Sequence, residues 1–275
     1  MKYLRNRQCR ETQFSAGSQQ NSQYDSQRIS NTIINLVKYG AGEDYKMKNE
    51  KAVVIFSGGQ DSTTCLFWSI EKFGKENVIA VSFSYGQRHS AELEAATHIC
   101  TQNGIRHLIL PIDIYSQLGA VPFLNEVQCS LLDNDLEIEQ KEDSDFPNSF
   151  VPYRNLLFLV HAAIAAKFFG AKNLVIGVSQ IDYSGYPDCR EEFIYGTQEL
   201  LKTAMGIGED VVIHTPLIRL TKAETWKMAS DLGVLDLIYH ETVTCYNGIK
   251  GEGCGECPAC QIRRQGYLSF LESQK

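Results

Sequence analysis

The sequence predicts an α/β fold in which a mainly parallel sheet is doubly wound, with helices on both of its faces. Three observations carry this prediction. From Ala52 onward, short β-branched runs alternate with segments whose apolar residues recur at helical spacing, as in βαβ units and unlike a meander or a bundle. Gly74 and Gly104 end two of those helical segments where C-terminal caps belong. Two adjacent glycines, Gly58 and Gly59, stand at the first strand-to-helix junction, where backbone N–H groups and the helix dipole gather.

Taken in order, Ala52 to Phe56, Val78 to Phe83, His107 to Ile112 and Asn173 to Val178 are the expected strands. Ser62 to Phe73 and Ser90 to Gln102 are the helices between the first three. Tyr153 to Phe169 is a strongly apolar helix, Arg190 to Met205 and Lys222 to Leu232 are two more, and Ala259 to Leu271 closes the fold. Residues 119–149, with an acidic run from Asp133 to Asp145, read as a loop, either a lid or a solvated connection. Ahead of the first strand, residues 1–46 are rich in Gln, Ser and Asn and hold no sustained period, so they are expected to be a disordered or dispensable extension. A second methionine, Met47, marks where the body begins. Residues 47–235 form the expected α/β domain, and residues 236–275 a C-terminal segment, rich in cysteine, and helix.

With 43% apolar residues in 275, the chain can bury a full core. No run approaches the roughly 20 apolar residues of a membrane span, and no basic segment leads into an apolar stretch with a cleavage site. A cytoplasmic protein is expected. The net charge of −7 disfavours a partner with many phosphates, which points to a small-molecule substrate and away from nucleic acid. Nine cysteines are an odd number, and four of them crowd between Cys245 and Cys260, the pattern of a metal site in a reducing compartment.

Ser57-Gly58-Gly59-Gln60-Asp61-Ser62 has the composition of a phosphate cradle: the glycines let backbone approach phosphate oxygens, and two hydroxyls add donors. Asp61 is out of place in a simple anion nest. A carboxylate beside phosphates requires a cation between them, and Mg²⁺ is the expected one. No Gly-Lys-Ser/Thr ends the loop, so γ-phosphoryl transfer of the Walker type is not expected.

Cys245, Cys254, Cys257 and Cys260 follow a C-x8-C-x2-C-x2-C spacing among four glycines, Gly248, Gly251, Gly253 and Gly255. Four thiolates suit one tetrahedral Zn²⁺, closed to substrate and therefore structural. An iron–sulfur cluster is the alternative for this spacing. Cys9, Cys65, Cys100, Cys129 and Cys189 are isolated, and each reads as a small buried or indifferent residue, with Cys189 set apart by its polar neighbourhood.

Ser-Gly-Gly-x-Asp-Ser after an apolar strand resembles the signature of the ATP pyrophosphatases, the PP-loop superfamily with its adenine nucleotide alpha hydrolase-like fold. A closer resemblance, over residues 51–271, is to the 7-cyano-7-deazaguanine synthase family of queuosine biosynthesis. It is carried by Phe56-Ser57-Gly58-Gly59-Gln60-Asp61-Ser62-Thr63-Thr64-Cys65-Leu66, by Tyr85-Gly86-Gln87-Arg88-His89, and by Val151-Pro152-Tyr153-Arg154-Asn155. The segment from Asp182 through Tyr183, Ser184, Gly185, Tyr186, Pro187, Asp188 and Cys189 to Arg190, and Thr244-Cys245-Tyr246-Asn247-Gly248, complete it. The family more often has glycine where Tyr153 stands.

The resemblance implies an ATP-dependent carbon–nitrogen ligase that turns 7-carboxy-7-deazaguanine and ammonia into 7-cyano-7-deazaguanine, with AMP and pyrophosphate released and a homodimer as the working unit. It places ATP on residues 56–66, with Asp61 also catalytic. Arg88, Arg154 and Lys222 are the candidate cations for charge developing at the α-phosphate. Asp182, Tyr183, Tyr186, Asp188 and Arg190 are the candidate substrate ligands, a carboxylate pairing with the guanine-like edge and a tyrosine stacking on the ring. His89 is a candidate proton relay. A tRNA-thiolating relative would instead require a basic RNA surface and a reactive cysteine pair, and an ATP sensor would bind without turnover.

Overall fold

Val53 and Val54 lie in a strand with no solvent exposure on either face, the burial expected of a central parallel strand covered on both sides. In the computed structural model of the chain, this strand, β1 (Ala52–Ile55), is the middle of a five-stranded sheet with β2 (Val78–Ser84), β3 (Arg106–Pro111), β4 (Asn173–Val175) and β5 (Val212–His214). The structure describes residues 50–87, 90–119, 150–181, 186–205 and 210–275. All neighbouring strands pair in parallel, in the order β3-β2-β1-β4-β5. The chain therefore winds outward from β1 to β3, returns to the other side of β1, and winds outward again.

Helices α1 (Gln60–Phe73) and α2 (Ala91–Asn103) cover one face, where Val54, Phe56 and Ala80 meet Leu66, Phe73, Ala96 and Ile99. The short α3 (Ile114–Gly119) follows β3. On the opposite face α4 (Arg154–Phe169) and α5 (Glu191–Met205) bring Leu159, Ala162, Ile194 and Leu201 onto Val53, Ile55 and Val81. The doubly wound expectation is met. A third cluster, Trp226, Ala229, Ile238 and Phe270, joins α6 (Lys222–Asp231), α7 (Leu235–Glu241) and α8 (Pro258–Ser273).

Caps explain several boundaries. Gly74 and Gly104 end α1 and α2 with positive φ, 88° and 61°, as the sequence predicts. Thr221 and Glu224 form a reciprocal capping box that starts α6. The fourth expected strand is shorter than its apolar run, ending at Val175 instead of Val178, because the chain there turns inward against the first helix. A Cβ on Gly177 would stand 3.0 Å from the Asp61 backbone. Strand β5 and helices α3 and α7 were not anticipated, being too short for a periodic signal. The expected extension, residues 1–46, and the expected loop, residues 119–149, lie outside the described residues except for Gly119. Among the described residues no helix is long and apolar enough to cross a membrane.

Candidate active site

Order reversal between β1 and β4 opens a crevice at their C-terminal ends, the place where sheets of this kind accept ligands. A cavity of about 330 Å³ occupies it, bounded by Phe56 after β1, Gly177 and Val178 after β4, and Tyr85 after β2. Ser57, Gln60, Asp61 and Ser62 of the predicted phosphate loop form part of its wall.

The loop is held open rather than filled. Gly59 is the N-cap of α1 and supplies no side-chain cap; Ser57 Oγ accepts from the Gly59 N–H and Thr244 Oγ1 from the Gln60 N–H, which leaves the Asp61 and Ser62 N–H groups of the first turn for an anion. Ser57 and Ser62 hydroxyls lie 3.0 Å apart, and Ser62 Oγ also accepts from the Ser57 N–H at 3.2 Å. Gly58 has φ 82°, and a Cβ there would stand 2.5 Å from the Glu92 carbonyl oxygen of α2. Glycine is thus required by both conformation and packing. Gln60 is buried at the cavity wall, and neither atom of its amide finds a partner among the described residues. Such a group costs about 1–3 kcal/mol until something answers it.

Three cations reach this space, one of them unanticipated. Lys222 Nζ contacts both carboxylate oxygens of Asp61, at 3.0 and 2.9 Å. Its stem passes over Gly266 of α8, where no Cβ would fit. Arg154, the first residue of α4, makes no side-chain hydrogen bond or ion pair with the described residues. Burial works against its charge, yet the Tyr85, Asp188 and Tyr186 oxygens around it hold its pKa above the ordinary value. Arg263 is the third, and it is buried. Its guanidinium donates to Thr242 Oγ1, Thr244 Oγ1 and the carbonyls of Ile238 and Tyr239 at 2.8–3.0 Å, over the Trp226 ring. The fork geometry of arginine makes that four-way bracket.

The anticipated substrate ligands divide. Tyr186 borders the cavity and lies against Phe150, with ring centroids 5.3 Å apart. Asp188 does not face the cavity: it is buried, and its carboxylate accepts from the Asn155 N–H at 3.3 Å, while Asn155 Nδ2 donates to its carbonyl at 3.2 Å. Burial raises its pKa, and Arg154 opposes that rise. Arg190 is exposed and away from the cavity wall. Arg88, His89, Asp182 and Tyr183 lie outside the described residues. Of the expected ATP ligands, Thr63, Thr64, Cys65 and Leu66 are fully buried in α1, so the cavity meets the first part of that segment only.

Beyond the loop, the C-terminal segment docks directly on it. The Val243 N–H donates to the Gly58 carbonyl, and Thr244 Oγ1 accepts from the Gln60 N–H at 3.2 Å. Immediately after come the four cysteines, whose Sγ atoms all lie within 4.8 Å of one another. Tetrahedral Zn–S bonds of about 2.3 Å would place sulfurs about 3.8 Å apart; Cys254 and Cys260 stand at 3.9 Å, and Cys257 and Cys260 closer, at 3.3 Å. Backbone N–H groups of Asn247 and Cys257 donate to the sulfurs of Cys245 and Cys254. Gly253 has φ 74°, and a side chain there would strike the Cys260 sulfur. The donor set and its enclosure fit a metal ion. Elsewhere, burial raises the thiol pKa of Cys65, and lifts those of Cys100 and Cys189 to about 12, so these cysteines are poor nucleophiles.

The family model described as Queuosine biosynthesis protein QueC matches residues 51–271. The chain belongs to this family. Among curated relatives, the 7-cyano-7-deazaguanine synthase of Clostridium novyi (strain NT) is 52% identical over 227 residues, 82% of this chain and 97% of that protein. The 7-cyano-7-deazaguanine synthase of Clostridium acetobutylicum is 50% identical over 233 residues, 84% of this chain and all of that protein. Among solved structures, the U34-tRNA thiolase NcsA from Methanococcus maripaludis aligns over 86% of this chain and 71% of its own, with 16% identity and a TM-score of 0.45. As a QueC-family chain, the protein carries its family match across the described cavity and the cysteine cluster alike.

Glu92, Thr244, Tyr246 and Arg263 also border the cavity and were missed. Thr244 and Tyr246 flank Cys245 in the motif Thr244-Cys245-Tyr246-Asn247-Gly248, and that position is the sequence signal for both. Nothing local marked Glu92 or Arg263, which reach the site by packing from helices.

Proposed function

We propose that the chain is a 7-cyano-7-deazaguanine synthase, converting 7-carboxy-7-deazaguanine and ammonia to the nitrile with cleavage of ATP to AMP and pyrophosphate. The relatives' names supply the substrate. The observation that carries the chemistry is the meeting of the phosphate loop, Asp61, Lys222 and Arg154 at one switch-point cavity.

Hydroxide and oxide are poor leaving groups at neutral pH, so replacing both carboxylate oxygens requires each to be activated. The substrate carboxylate attacks the α-phosphate of ATP and pyrophosphate leaves. Ammonia displaces AMP to give the amide. The amide oxygen then attacks a second ATP, and loss of AMP leaves the nitrile.

On this reading Ser57, Gly58, Gly59 and Ser62 hold the pyrophosphate, and Asp61 holds the accompanying Mg²⁺ through hard oxygen. Lys222 and Arg154 stabilise the charge spread over the α-phosphate; two cations preset in a partly dry cavity act more strongly than in water. Gln60 gains partners for its buried amide on ligand binding, and Tyr186 lies against the deazaguanine ring. Asp188 holds the start of α4, and through it Arg154, in place. The four cysteines would hold a structural Zn²⁺, which would neutralise their thiolates and close the segment that carries Thr244. A homodimer acting on small molecules in the cytoplasm, without nucleic acid, belongs to the same reading.

Mass spectrometry of an incubation with ATP, Mg²⁺, ammonium and 7-carboxy-7-deazaguanine tests it. Nitrile and substrate-dependent AMP are expected. AMP formed only with tRNA and a sulfur donor, or ATP bound without cleavage, would overturn it.

A further inference from the structure

A carboxyl that the proposed chemistry has not yet used borders the same cavity. Glu92 is in the first turn of α2, and its backbone carbonyl packs against Gly58, so the residue is fixed to the phosphate loop itself. It makes no side-chain hydrogen bond or ion pair with the described residues. From the surrounding elements, Asp61, Lys222, Arg154, Arg263, Tyr85 and Tyr186 share the cavity wall with it.

An acid in the first turn of a helix is ordinarily favoured as the anion by the helix dipole. Here burial prevails: the Glu92 carboxyl is pushed up to about 7, with the Arg154 guanidinium offsetting part of the rise. The group can therefore take and release protons near neutrality, the property that a general base requires.

The synthase reaction has such a need, and the following rests on that reading. We propose that Glu92 is the catalytic base that receives the protons leaving the ammonia nitrogen as it becomes the nitrile nitrogen. Three protons must leave. One goes when ammonia adds to the acyl adenylate and AMP departs with its oxygen, giving the amide. A second leaves when the adenylated amide forms its neutral imidate, after the amide oxygen has displaced pyrophosphate from the second ATP. The third leaves as the C–O bond to AMP breaks and its electron pair departs with AMP, while the nitrogen–hydrogen pair becomes the third C–N bond. Glu92 accepts each proton as carboxylate and passes it to solvent before the next.

The test feeds purified full-length wild-type, Glu92→Gln and Glu92→Asp proteins first the carboxylate and then the synthetic amide, each with ATP, Mg²⁺ and ammonium. Pyrophosphate, amide and nitrile are measured separately. For Glu92→Gln the expected result is nitrile formation lowered about 100-fold from either substrate, with the first burst of carboxylate-dependent pyrophosphate retained. The acidic limb of the wild-type rate profile should disappear. Glu92→Asp, with its carboxyl withdrawn by one methylene, should recover part of the nitrile rate and the acidic limb, and it serves alone if the glutamine variant does not fold. Nitrile rates within a few-fold of wild type in both variants would overturn the assignment, as would equal loss of the pyrophosphate burst. Wild-type protein that makes no nitrile would instead overturn the synthase reading itself.

Discussion

Tyr153 is the one non-glycine among the described residues with positive φ, 61°, and it is 72% exposed at the N-cap of α4. A side chain in the left-handed region costs about 1–2 kcal/mol, and exposure returns little of that by burial. Tyr153→Gly should therefore be more stable than Tyr153→Ala by about 1 kcal/mol, read from urea unfolding midpoints, since only glycine relieves the strain. Equal midpoints would mean that the turn carries no strain. At the same scale, the phosphate-loop residues were legible because their chemistry is local: glycines, hydroxyls and Asp61 within six positions. Glu92 and Arg263 were not. A glutamate among several in a helix has nothing to distinguish it until burial beside Arg154 moves its titration, and the Arg263 bracket forms with carbonyls and hydroxyls far along the chain.

At the scale of elements, the C-terminal segment acts as the backing of the phosphate loop. The four cysteines gather their sulfurs within 4.8 Å of one another, Arg263 ties α8 to α7 and to Thr244, and Thr244 and Val243 hold Gln60 and Gly58. Stripping the metal with a chelator should loosen α8 to proteolysis and weaken ATP binding together, and Zn²⁺ should restore both. Arg263→Lys should cost about 3 kcal/mol, because a single ammonium cannot replace a buried fork and leaves acceptors unpaired. Retained ATP affinity in metal-free protein would contradict the linkage. The long helices were legible from apolar spacing and glycine caps. Strand β5, three residues long, and α7, seven long, fall below any period that a sequence can display, and β4 was overread because its apolar run continues past the point where Gly177 leaves the sheet.

For the whole molecule, alternation of strands and helices predicted the doubly wound class, but the order β3-β2-β1-β4-β5 is set by which side of β1 the chain returns to, and no local signal encodes that. The cavity's location follows from that order. Composition set residues 1–46 apart, and the family match begins at residue 51. A variant starting at Met47 should keep its nitrile-forming rate within about twofold, measured by the same product assay; loss of activity would assign the extension a role in the body. In the proposed reaction both substrate oxygens leave by adenylation at one loop. Substrate carrying ¹⁸O in both carboxyl positions tests it most directly, with the label followed by mass spectrometry. Two AMP per nitrile are expected, each AMP carrying one labelled phosphate oxygen. Label recovered in water or inorganic phosphate, with ADP in place of AMP, would contradict it.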